Sequence, residues 1–360
     1  TGRANERFTS SELIRAHARF KGKDGDHFRL EVGAREVLAR EVVLDTGTRS
    51  AVPPIENLHE QDFINSENWL DRPQLPDRLV VVGGGYIGLE MGQFYRRLGS
   101  EVTIVQHGAQ IAGHEDRDVA DALQQLLEDE RIGFRIGAKA TRVRKLAAGL
   151  ALTLDTDAGC EELEASDLFV AVGRQPNTDE QGLETIGLAP DDEGIIDVDS
   201  RLRTEVAGVW AVGDIRGGAM FTHTSWDDYR IVASQVLGDG SRTLDRVVPY
   251  AIFTEPQLGR VGMTEDEARR AGRNIRVGRF DMAGNGKARE LGETRGFIKV
   301  VVDADSCKLL GTAVLAEDAA ELVQLYVILM NVDAPYTVIE NAVLIHPTLA
   351  EAAQSVFLTL

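Results

Sequence analysis

The chain has 360 residues, enough for two or three domains, and its 43% hydrophobic content is sufficient for packed cores. Its 58 acidic and 39 basic residues give a formal net charge of -19, which opposes binding to nucleic acid or to anionic membrane surfaces. Neither a membrane span nor a signal-peptide core is found, so the sequence predicts a cytoplasmic protein, and its two cysteines support neither a disulfide scaffold nor a zinc site.

The beginning of the chain resembles the later part of a domain. Alternating apolar residues predict strands over residues 28–32 and 37–44, and the second strand leads into Thr46-Gly47. Because the chain starts at Thr1 instead of methionine, we expect a front end to precede it. A polar, proline-containing stretch to Pro76 then predicts a linker, with a domain boundary near Asn65.

A glycine turn between a strand and a helix is the most informative motif. The apolar strand over residues 79–82 leads into Gly83, which permits a tight turn, and Gly85, where the backbone can approach a pyrophosphate. Gly88 lets the following helix pack closely on the strand, so that the helix N-terminus meets the phosphates. A strand over residues 101–105 completes the βαβ unit, which favours a dinucleotide site over a glycine turn that binds nothing.

The residue that follows the second strand bears on the choice of nucleotide. An acidic side chain there would bind the ribose hydroxyls of NADH, whereas arginine would bind the 2′-phosphate of NADPH. Gln106 can hydrogen-bond a hydroxyl without repelling a phosphate, and the nearest basic residues are His107 and Arg117. We therefore predict that both nucleotides are used, with a modest preference for NADH.

Further along the chain, apolar periodicity predicts a helix over residues 115–131 and short strands through Leu154. Two apolar strands then run into loops, at residues 168–177 and 209–214, and a helix is predicted over 226–237. The segment after Pro249 has an α+β pattern, with predicted strands near residue 252 and over 297–302 and 309–314, and predicted helices over 264–271 and 319–330.

Five motifs in order resemble those of the class I pyridine nucleotide-disulfide oxidoreductases, which include dihydrolipoamide dehydrogenase, glutathione reductase and mercuric reductase. They are Thr46-Gly47, the glycine turn from Gly83 to Glu90, Gly173-Arg174-Gln175-Pro176-Asn177, Gly213-Asp214, and the segment from His346 to Glu351. Residues 217–232 most resemble the mercuric-reductase-like branch that includes the bacterial reactive-chlorine resistance and copper-reducing flavoprotein.

The resemblance implies an α/β fold with tandem Rossmann-like FAD- and NAD(P)-binding domains, of which the FAD domain is incomplete, and a C-terminal α+β dimerisation domain. The implied boundaries are 1–64 for a remnant of the FAD domain and linker, 65–175 for the NAD(P) domain, 176–246 for the return to the FAD domain, and 247–360 for dimerisation. In the family the FAD-binding turn and the redox CxxxxC pair precede these residues, and Cys160 and Cys307 do not form that motif. A fragment, an unseen front end and a true truncation all fit, and we favour the first two.

The resemblance also implies the residues that bind the cofactors FAD and NAD(P)H. Asp214, after Gly213, would bind the ribityl chain of FAD, and Thr46-Gly47 would form a turn beside FAD. Gly173 would approach the nicotinamide by its backbone, although each of these segments is also an ordinary turn. Glu90 would lie beside nicotinamide and flavin, or would only favour its helix N-terminus. The remaining implied cofactor-binding residues are Tyr86, Ile87, Met220, Phe221, Thr222 and His223.

His346 is the strongest candidate for a catalytic residue. Pro347 and Thr348 are typical of a helix start, which would put Glu351 about one turn along, where it can orient the imidazole and raise its basicity. The resemblance implies that His346 is the acid-base group for a dithiol, acting across a dimer interface. The plainer interpretation is a helix-capping histidine beside a solvated glutamate.

The sequence thus predicts a homodimeric FAD-dependent oxidoreductase in which NAD(P)H gives hydride to flavin, and electrons then pass to a disulfide and on to a disulfide or metal-ion acceptor. The C-terminal segment contains no cysteine pair, so metal delivery through such a pair is not expected. Two alternatives remain: a truncated nucleotide-binding dimer module without turnover, and a diaphorase or transhydrogenase. The apolar residues Leu349, Ala353, Val356 and Phe357 could belong to a core or to an interface.

Overall fold

A computed structural model describes residues 11–360, so the first ten residues of the predicted 1–64 segment lie outside the described residues. The chain divides into two compact units. The first contains the described part of residues 1–49 together with 174–246, and the second contains 50–173 together with 247–360. In the described part of the chain, no helix is long and apolar enough to cross a membrane.

The first unit opens with an antiparallel three-stranded sheet in the order β1-β2-β3, in which Phe20 and Phe28 pack edge to face. The prediction of a single strand over residues 37–44 is wrong. The chain bends at Arg40, and the segment forms two strands that belong to different sheets. The strands of this segment are β1 (Ala18–Asp24), β2 (His27–Val32), β3 (Arg35–Ala39), β4 (Val42–Leu44) and β5 (Thr48–Ser50).

The second unit begins with the predicted βαβ unit, in a parallel sheet ordered β12-β6-β7-β8. Its strands are buried on both faces: Leu79 and Val81 join the core with helices α1 and α2, whereas Val80 and Val82 face the antiparallel sheet β11-β10-β9. The elements are β6 (Arg78–Val82), α1 (Tyr86–Leu98), β7 (Glu101–Gln106), α2 (Arg117–Asp129), β8 (Gly133–Ile136), β9 (Lys139–Lys145), β10 (Leu150–Thr156), β11 (Gly159–Ala165) and β12 (Asp167–Val170).

The chain returns to the first unit after Gly173. Strand β14 pairs in parallel with β4, and its residues Val209 and Ala211 join the core of this unit. The helix predicted from residue 226 begins earlier, at Thr222, where Thr224 Oγ1 accepts a hydrogen bond from the amide of Phe221. The elements are β13 (Arg174–Pro176), β14 (Val209–Ala211) and α3 (Thr222–Leu237).

The C-terminal half of the second unit is an antiparallel five-stranded sheet in the order β15-β16-β19-β18-β17. Leu349, Ala353, Val356 and Phe357 pack into its core, so the structure assigns this apolar face to the core. The elements are β15 (Pro249–Ile252), β16 (Gln257–Gly262), α4 (Glu265–Arg270), β17 (Ile275–Asp281), α5 (Gly286–Leu291), β18 (Phe297–Asp303), β19 (Leu309–Ala316), α6 (Ala319–Asn331), α7 (Thr337–Glu340) and α8 (Glu351–Ser355).

Candidate functional site

The glycine turn has the backbone geometry that the sequence predicts, with β6 leading into the turn and α1 beginning at Tyr86. Gly83 has φ +115°, and a Cβ atom there would lie 2.2 Å from the carbonyl oxygen of Ala171. A Cβ atom on Gly88 would lie 1.9 Å from the carbonyl oxygen of Gly83. Glycine is therefore required at both positions by the fold itself, whether or not a ligand is bound.

Gly85 has a different environment from the other two glycines. It is exposed, its φ of -80° is available to other residues, and a Cβ atom would meet nothing within 4 Å. Tyr86 and Ile87, the first residues of α1, pack against the hydrophobic core that the parallel sheet forms with helices α1 and α2. The open side of the turn thus consists of backbone at Gly85 and the N-terminus of a 13-residue helix, an arrangement that suits a pyrophosphate.

Gln106 ends β7, the strand next to β6, and reaches the glycine turn directly. Its Oε1 atom accepts a hydrogen bond of 2.9 Å from the amide of Gly84. The side-chain NH₂ of Gln106 is the donor half of this amide, and it is the part that could hydrogen-bond a nucleotide. Arg117 donates to the carbonyl oxygen of Ala109 at 3.0 Å and pairs with Asp121 at 2.8 Å, so its guanidinium already has local partners.

Gly173 lies at the same edge of the parallel sheet. It follows β12, which pairs in parallel with β6, and its carbonyl oxygen accepts a hydrogen bond of 3.0 Å from the amide of Ala51. Its φ is +129°, and a Cβ atom there would meet nothing within 4 Å. Three neighbouring strands thus bring Gly83, Gln106 and Gly173 to one edge, where ligands bind in open α/β sheets.

Glu90 lies beyond the first turn of α1, so a simple role at the helix N-terminus does not describe it. Its carboxylate accepts a hydrogen bond of 2.8 Å from the amide of Phe253. Burial raises the pKa of Glu90, and this amide hydrogen bond partly opposes the shift. Glu90 therefore connects residues 50–173, the half of the second unit that contains the glycine turn, to the segment that follows β15.

His346 and Glu351 form the contact that the sequence predicts. His346 Nδ1 lies 3.0 Å from Glu351 Oε1 and 3.2 Å from Oε2, and the imidazole is 77% exposed. Helix α8 begins at Glu351, not at Pro347, because the carboxylate of Glu351 accepts the amide hydrogen of Thr348 at 2.9 Å within a preceding turn. That amide and the imidazole lower the pKa of Glu351, which keeps the carboxylate ionised.

In the first unit, Thr46-Gly47 meets the segment that ends at Asn177. The Thr46 hydroxyl donates to the carbonyl oxygen of Asn177 at 2.9 Å, and the Asn177 side chain donates to the carbonyl oxygen of Thr46 at 3.0 Å. The amide of Asn177 donates to the carbonyl oxygen of Gly47 at 2.9 Å. Two motifs that are far apart in sequence therefore form one hydrogen-bonded structure.

Asp214 is linked to that structure by Thr48 and Arg174, which were not among the predicted site residues. The Thr48 hydroxyl donates to Asp214 Oδ2 at 2.8 Å, and Arg174 Nε lies 3.8 Å from the same oxygen. Arg174 also donates to the carbonyl oxygen of Thr48 at 2.8 Å. Both residues directly follow predicted site residues, Gly47 and Gly173, and this adjacency was the available signal.

Asp228 is a further residue that the sequence analysis did not select. It is fully buried on α3, and its Oδ2 accepts hydrogen bonds from the amide of Gly213 at 2.9 Å and from Arg216 Nε at 2.6 Å. Arg246 donates to its other oxygen at 2.6 Å. Asp228 thus fixes the turn that presents Asp214. The available signal was an aspartate on the helical face shared with Thr224 and with other buried residues.

The four residues from Met220 to His223 lie at the start of α3. Met220 and Phe221 are partly buried, whereas Thr222 and His223 are exposed. The rings of Phe221 and His223 stack with centroids 5.4 Å apart and planes 8° apart.

The two cysteines are both free thiols. Cys160 is exposed on β11, and Cys307 is partly buried after β18.

The residues present fit FAD and NAD(P)H, the two cofactors that the sequence predicts. The open space at Gly85 lies at the N-terminus of α1, where a pyrophosphate would bind. A carboxylate has about four lone-pair positions, and Thr48 occupies one of those of Asp214, so this side chain can also accept a hydrogen bond from a ribityl hydroxyl.

Comparisons with known proteins agree with this geometry. The family model for the pyridine nucleotide-disulphide oxidoreductases matches residues 6–228, and the model for the dimerisation domain of the same family matches residues 248–356. The chain is 33% identical over 349 residues to the probable pyridine nucleotide-disulfide oxidoreductase RclA of Escherichia coli, an alignment that covers 96% of this chain and 78% of RclA. It is 36% identical to a dihydrolipoyl dehydrogenase of Thermus scotoductus, covering 94% and 73% of the two chains.

A solved structure agrees as well. The Cu(II) complex of the HOCl-induced flavoprotein disulfide reductase RclA from Escherichia coli superposes with a TM-score of 0.89 at 33% identity, covering 96% of this chain and 79% of that one. The predicted family and the predicted mixed α/β fold class are thereby confirmed. The chain belongs to the pyridine nucleotide-disulfide oxidoreductases, a family of FAD-containing, NAD(P)H-dependent flavoproteins.

Proposed function

We propose that this protein is a homodimeric, cytoplasmic, FAD-dependent oxidoreductase in which NAD(P)H gives hydride to flavin, and electrons then pass to a redox disulfide and on to a disulfide or metal-ion acceptor. Such activities belong to the EC 1.8.1 or 1.16.1 classes. The observation that carries the proposal is the hydrogen-bonded pair of His346 and Glu351. An exposed imidazole held by an ionised carboxylate is suited to proton exchange with a thiol and has little purpose in a protein that only binds nucleotides.

The geometry of the pair defines which imidazole nitrogen acts. Because Nδ1 faces the carboxylate of Glu351, the Nδ1–H donates to that carboxylate, and Nε2 is left to take up or release a proton. Thr348 donates to the same carboxylate and so fixes its position. His346 is thus the proposed acid-base residue, and Glu351 is the residue that orients it.

The cofactor sites follow from the residues described above. Flavin, when bound, supplies the hydride acceptor and the electron pair for the disulfide. We assign Asp214 and the Thr46-Gly47 turn to the FAD site, and the glycine turn with Gln106, Gly173 and Glu90 to the NAD(P)H site. The remaining FAD assignments are Gly213, Met220, Phe221, Thr222 and His223.

Exposed apolar side chains support the proposed homodimer. Within the part of the chain that matches the dimerisation domain, Val343 is 99% exposed and Ile345 is 79% exposed. Ile328 and Val332 of the same region are also exposed, at 65% and 66%. Val343 and Ile345 are two residues apart in the chain, and neighbouring exposed apolar side chains of this kind support an interaction surface.

Relatives of two kinds support the proposed acceptors. Several are named dihydrolipoyl dehydrogenases, and the superposed RclA structure is a Cu(II) complex. The test is NADH oxidation by the natively expressed protein with lipoamide, with Cu(II) and with a redox dye as separate acceptors. We expect turnover with lipoamide or Cu(II). Turnover with the dye alone would favour a diaphorase or transhydrogenase, and turnover with none would favour a nucleotide-binding module.

Gln106 is the proposed determinant of nucleotide preference. Its Oε1 already accepts a hydrogen bond from the Gly84 amide. Its NH₂ group can donate a hydrogen bond either to a ribose hydroxyl or to a 2′-phosphate. Arg117, with its local partners, gives the phosphate little additional attraction. We therefore expect both nucleotides to be used, with a modest preference for NADH in kcat/KM. Equal efficiency with the two, or a strong NADPH preference, would contradict this assignment.

Replacing Gln106 with glutamate is expected to sharpen that preference. Glutamate keeps an oxygen for the Gly84 amide but places a negative charge beside the 2′-phosphate of NADPH. We expect kcat/KM for NADPH to fall by about tenfold or more, because like charges in contact cost more than about 1.4 kcal/mol, while kcat/KM for NADH changes little. Gln74→Glu, which adds the same charge at an exposed position before β6, is the control. A parallel fall for both nucleotides would indicate structural damage instead.

A further inference from the structure

A buried cluster of charged side chains lies between the segment before α2 and the C-terminal sheet, within the second unit. Arg260 of β16 and Lys299 of β18 are 2% and 4% exposed, and they face Glu115 and Asp116, which are 6% and 4% exposed. Charged residues are rarely buried to this degree, because each loses its hydration. None of these residues belongs to the cofactor or histidine sites described above.

The contacts of Arg260 are loose for a buried ion pair. Its Nη1 is 3.6 Å from Glu115 Oε2, and its Nη2 is 3.6 Å from Asp116 Oδ2, beyond hydrogen-bond distance. Within residues 11–360, neither Arg260 Nη2 nor Glu115 Oε2 has a hydrogen-bond partner. An ion pair with this geometry recovers only part of its desolvation cost, so a gain in stability is a weak explanation for it.

The two carboxylates are nevertheless held firmly by the C-terminal half of the unit. Asp116 accepts hydrogen bonds from the amides of Glu265 and Asp266 at 3.1 and 3.2 Å, and these lower its pKa although burial opposes the shift. The hydroxyl of Tyr250, on β15, donates to Glu115 Oε1. The end of the segment before α2 is therefore attached to β15, β16 and the start of α4.

The other end of that segment is attached to the glycine turn. We call residues 107–115 the 107–115 loop. The amide of Ala112 donates to the carbonyl oxygen of Gly84 at 2.9 Å, and Ile111 is fully buried against Gly84. The side chain of Gln110 donates to the carbonyl oxygen of Glu115 at 2.9 Å. A continuous series of contacts thus joins the buried charges to the glycine turn.

We propose that Arg260 is a positioning residue for the nucleotide site: from the C-terminal sheet it holds the 107–115 loop, and thereby sets the affinity for NADH. The proposal rests on the nucleotide site proposed above. Without the guanidinium, the attraction that holds the carboxylate of Glu115 to the C-terminal sheet is lost, whereas Asp116 keeps Lys299 at 3.4 Å. The loop then shifts, and the contacts of Ala112 and Ile111 carry the shift to Gly84.

The test is the dissociation constant of NADH, measured by fluorescence titration of the full chain, so that no turnover is needed. We expect Arg260→Met to raise the constant by about tenfold, within the range typical of coupling between two sites. Arg260→Lys, which retains the charge, should restore most of the affinity. If Arg260→Met binds NADH within about twofold of the unaltered protein, the proposal is overturned.

Gln93→Leu is the matched control. Gln93 is also buried between the nucleotide-binding half and the C-terminal half, where it exchanges hydrogen bonds of 2.8 and 2.9 Å with the backbone of Glu255. This variant should lower the melting temperature and leave the affinity for NADH unchanged. Equal loss of affinity in Gln93→Leu would mean that any damage between the two halves has this effect, and would overturn a specific role for Arg260.

A second variant covers the case in which Arg260→Met does not fold. The double variant Arg260→Met/Glu115→Gln removes one charge of each sign, a change that buried ion pairs often tolerate. It should fold and still bind NADH more weakly than the unaltered protein, and unchanged binding would overturn the proposal. Failure of the unaltered protein to bind NADH would instead contradict the proposed nucleotide site itself.

Discussion

Replacing Gly88 with alanine is expected to destabilise the protein by about 3 kcal/mol, the upper part of the range for an overpacked core. The new Cβ atom would lie 1.9 Å from the carbonyl oxygen of Gly83, which cannot move without displacing the strand that precedes it. Replacing Gly85 is expected to leave stability within about 0.5 kcal/mol, as for most substitutions away from packed contacts. Its Cβ atom would meet nothing within 4 Å.

Nucleotide binding separates the two glycines further. Gly85→Ala should weaken NADH binding by about tenfold or more, because its methyl group occupies the space where the backbone would approach the pyrophosphate. Denaturant unfolding and NADH titration on both variants check these expectations. Gly99→Ala, at the far end of α1 where φ is +117°, is the control and should lower stability but leave NADH binding unchanged. If Gly85→Ala folds normally and binds NADH as tightly as the unaltered protein, this turn is not the phosphate site.

Loss of His346 should have the largest effect on turnover. Replacing it with glutamine keeps a hydrogen-bonding side chain beside Glu351 but removes the group that exchanges protons. We expect NADH-dependent reduction of a disulfide to fall by roughly 10²- to 10⁴-fold, as is typical when an acid-base group is lost. Reduction of the flavin by NADH should remain unchanged, because no proton transfer by His346 is needed for it.

Two controls make the result specific to this side chain. His59→Gln makes the same substitution at an exposed histidine of the same unit and should leave turnover unchanged. Glu351→Gln retains His346 but removes the negative charge that orients it, and should cause a smaller loss than His346→Gln. Full disulfide turnover by His346→Gln would reduce the pair to a structural role at the start of α8.

The features predicted from the sequence are those that depend on neighbouring residues. The turn from Gly83 to Gly88 could be predicted because a strand, a tight turn and a helix follow one another within a few residues. The contact between His346 and Glu351 has the same local character. Even there, the helix begins at Glu351 instead of Pro347, since the glutamate caps the preceding turn through the amide of Thr348.

Buried charges could not be predicted in this way. Arg260 lies between Gly259 and Val261 in a strand, where a charged residue normally indicates a solvent-facing position. Its partner Glu115 is far away in sequence, so only the folded chain shows how the guanidinium is accommodated. Asp228 is similar, because its three donors come from Gly213, Arg216 and Arg246.

The measurement that tests the proposed chemistry most directly is the visible spectrum of the natively expressed protein, recorded without oxygen before and after addition of NADH. We expect a bound-flavin absorbance band that is bleached by NADH, together with a long-wavelength band from a thiolate in contact with the flavin. A colourless protein, or a flavin band that NADH leaves unchanged, would contradict an NADH-dependent flavoprotein disulfide reductase and favour a nucleotide-binding module.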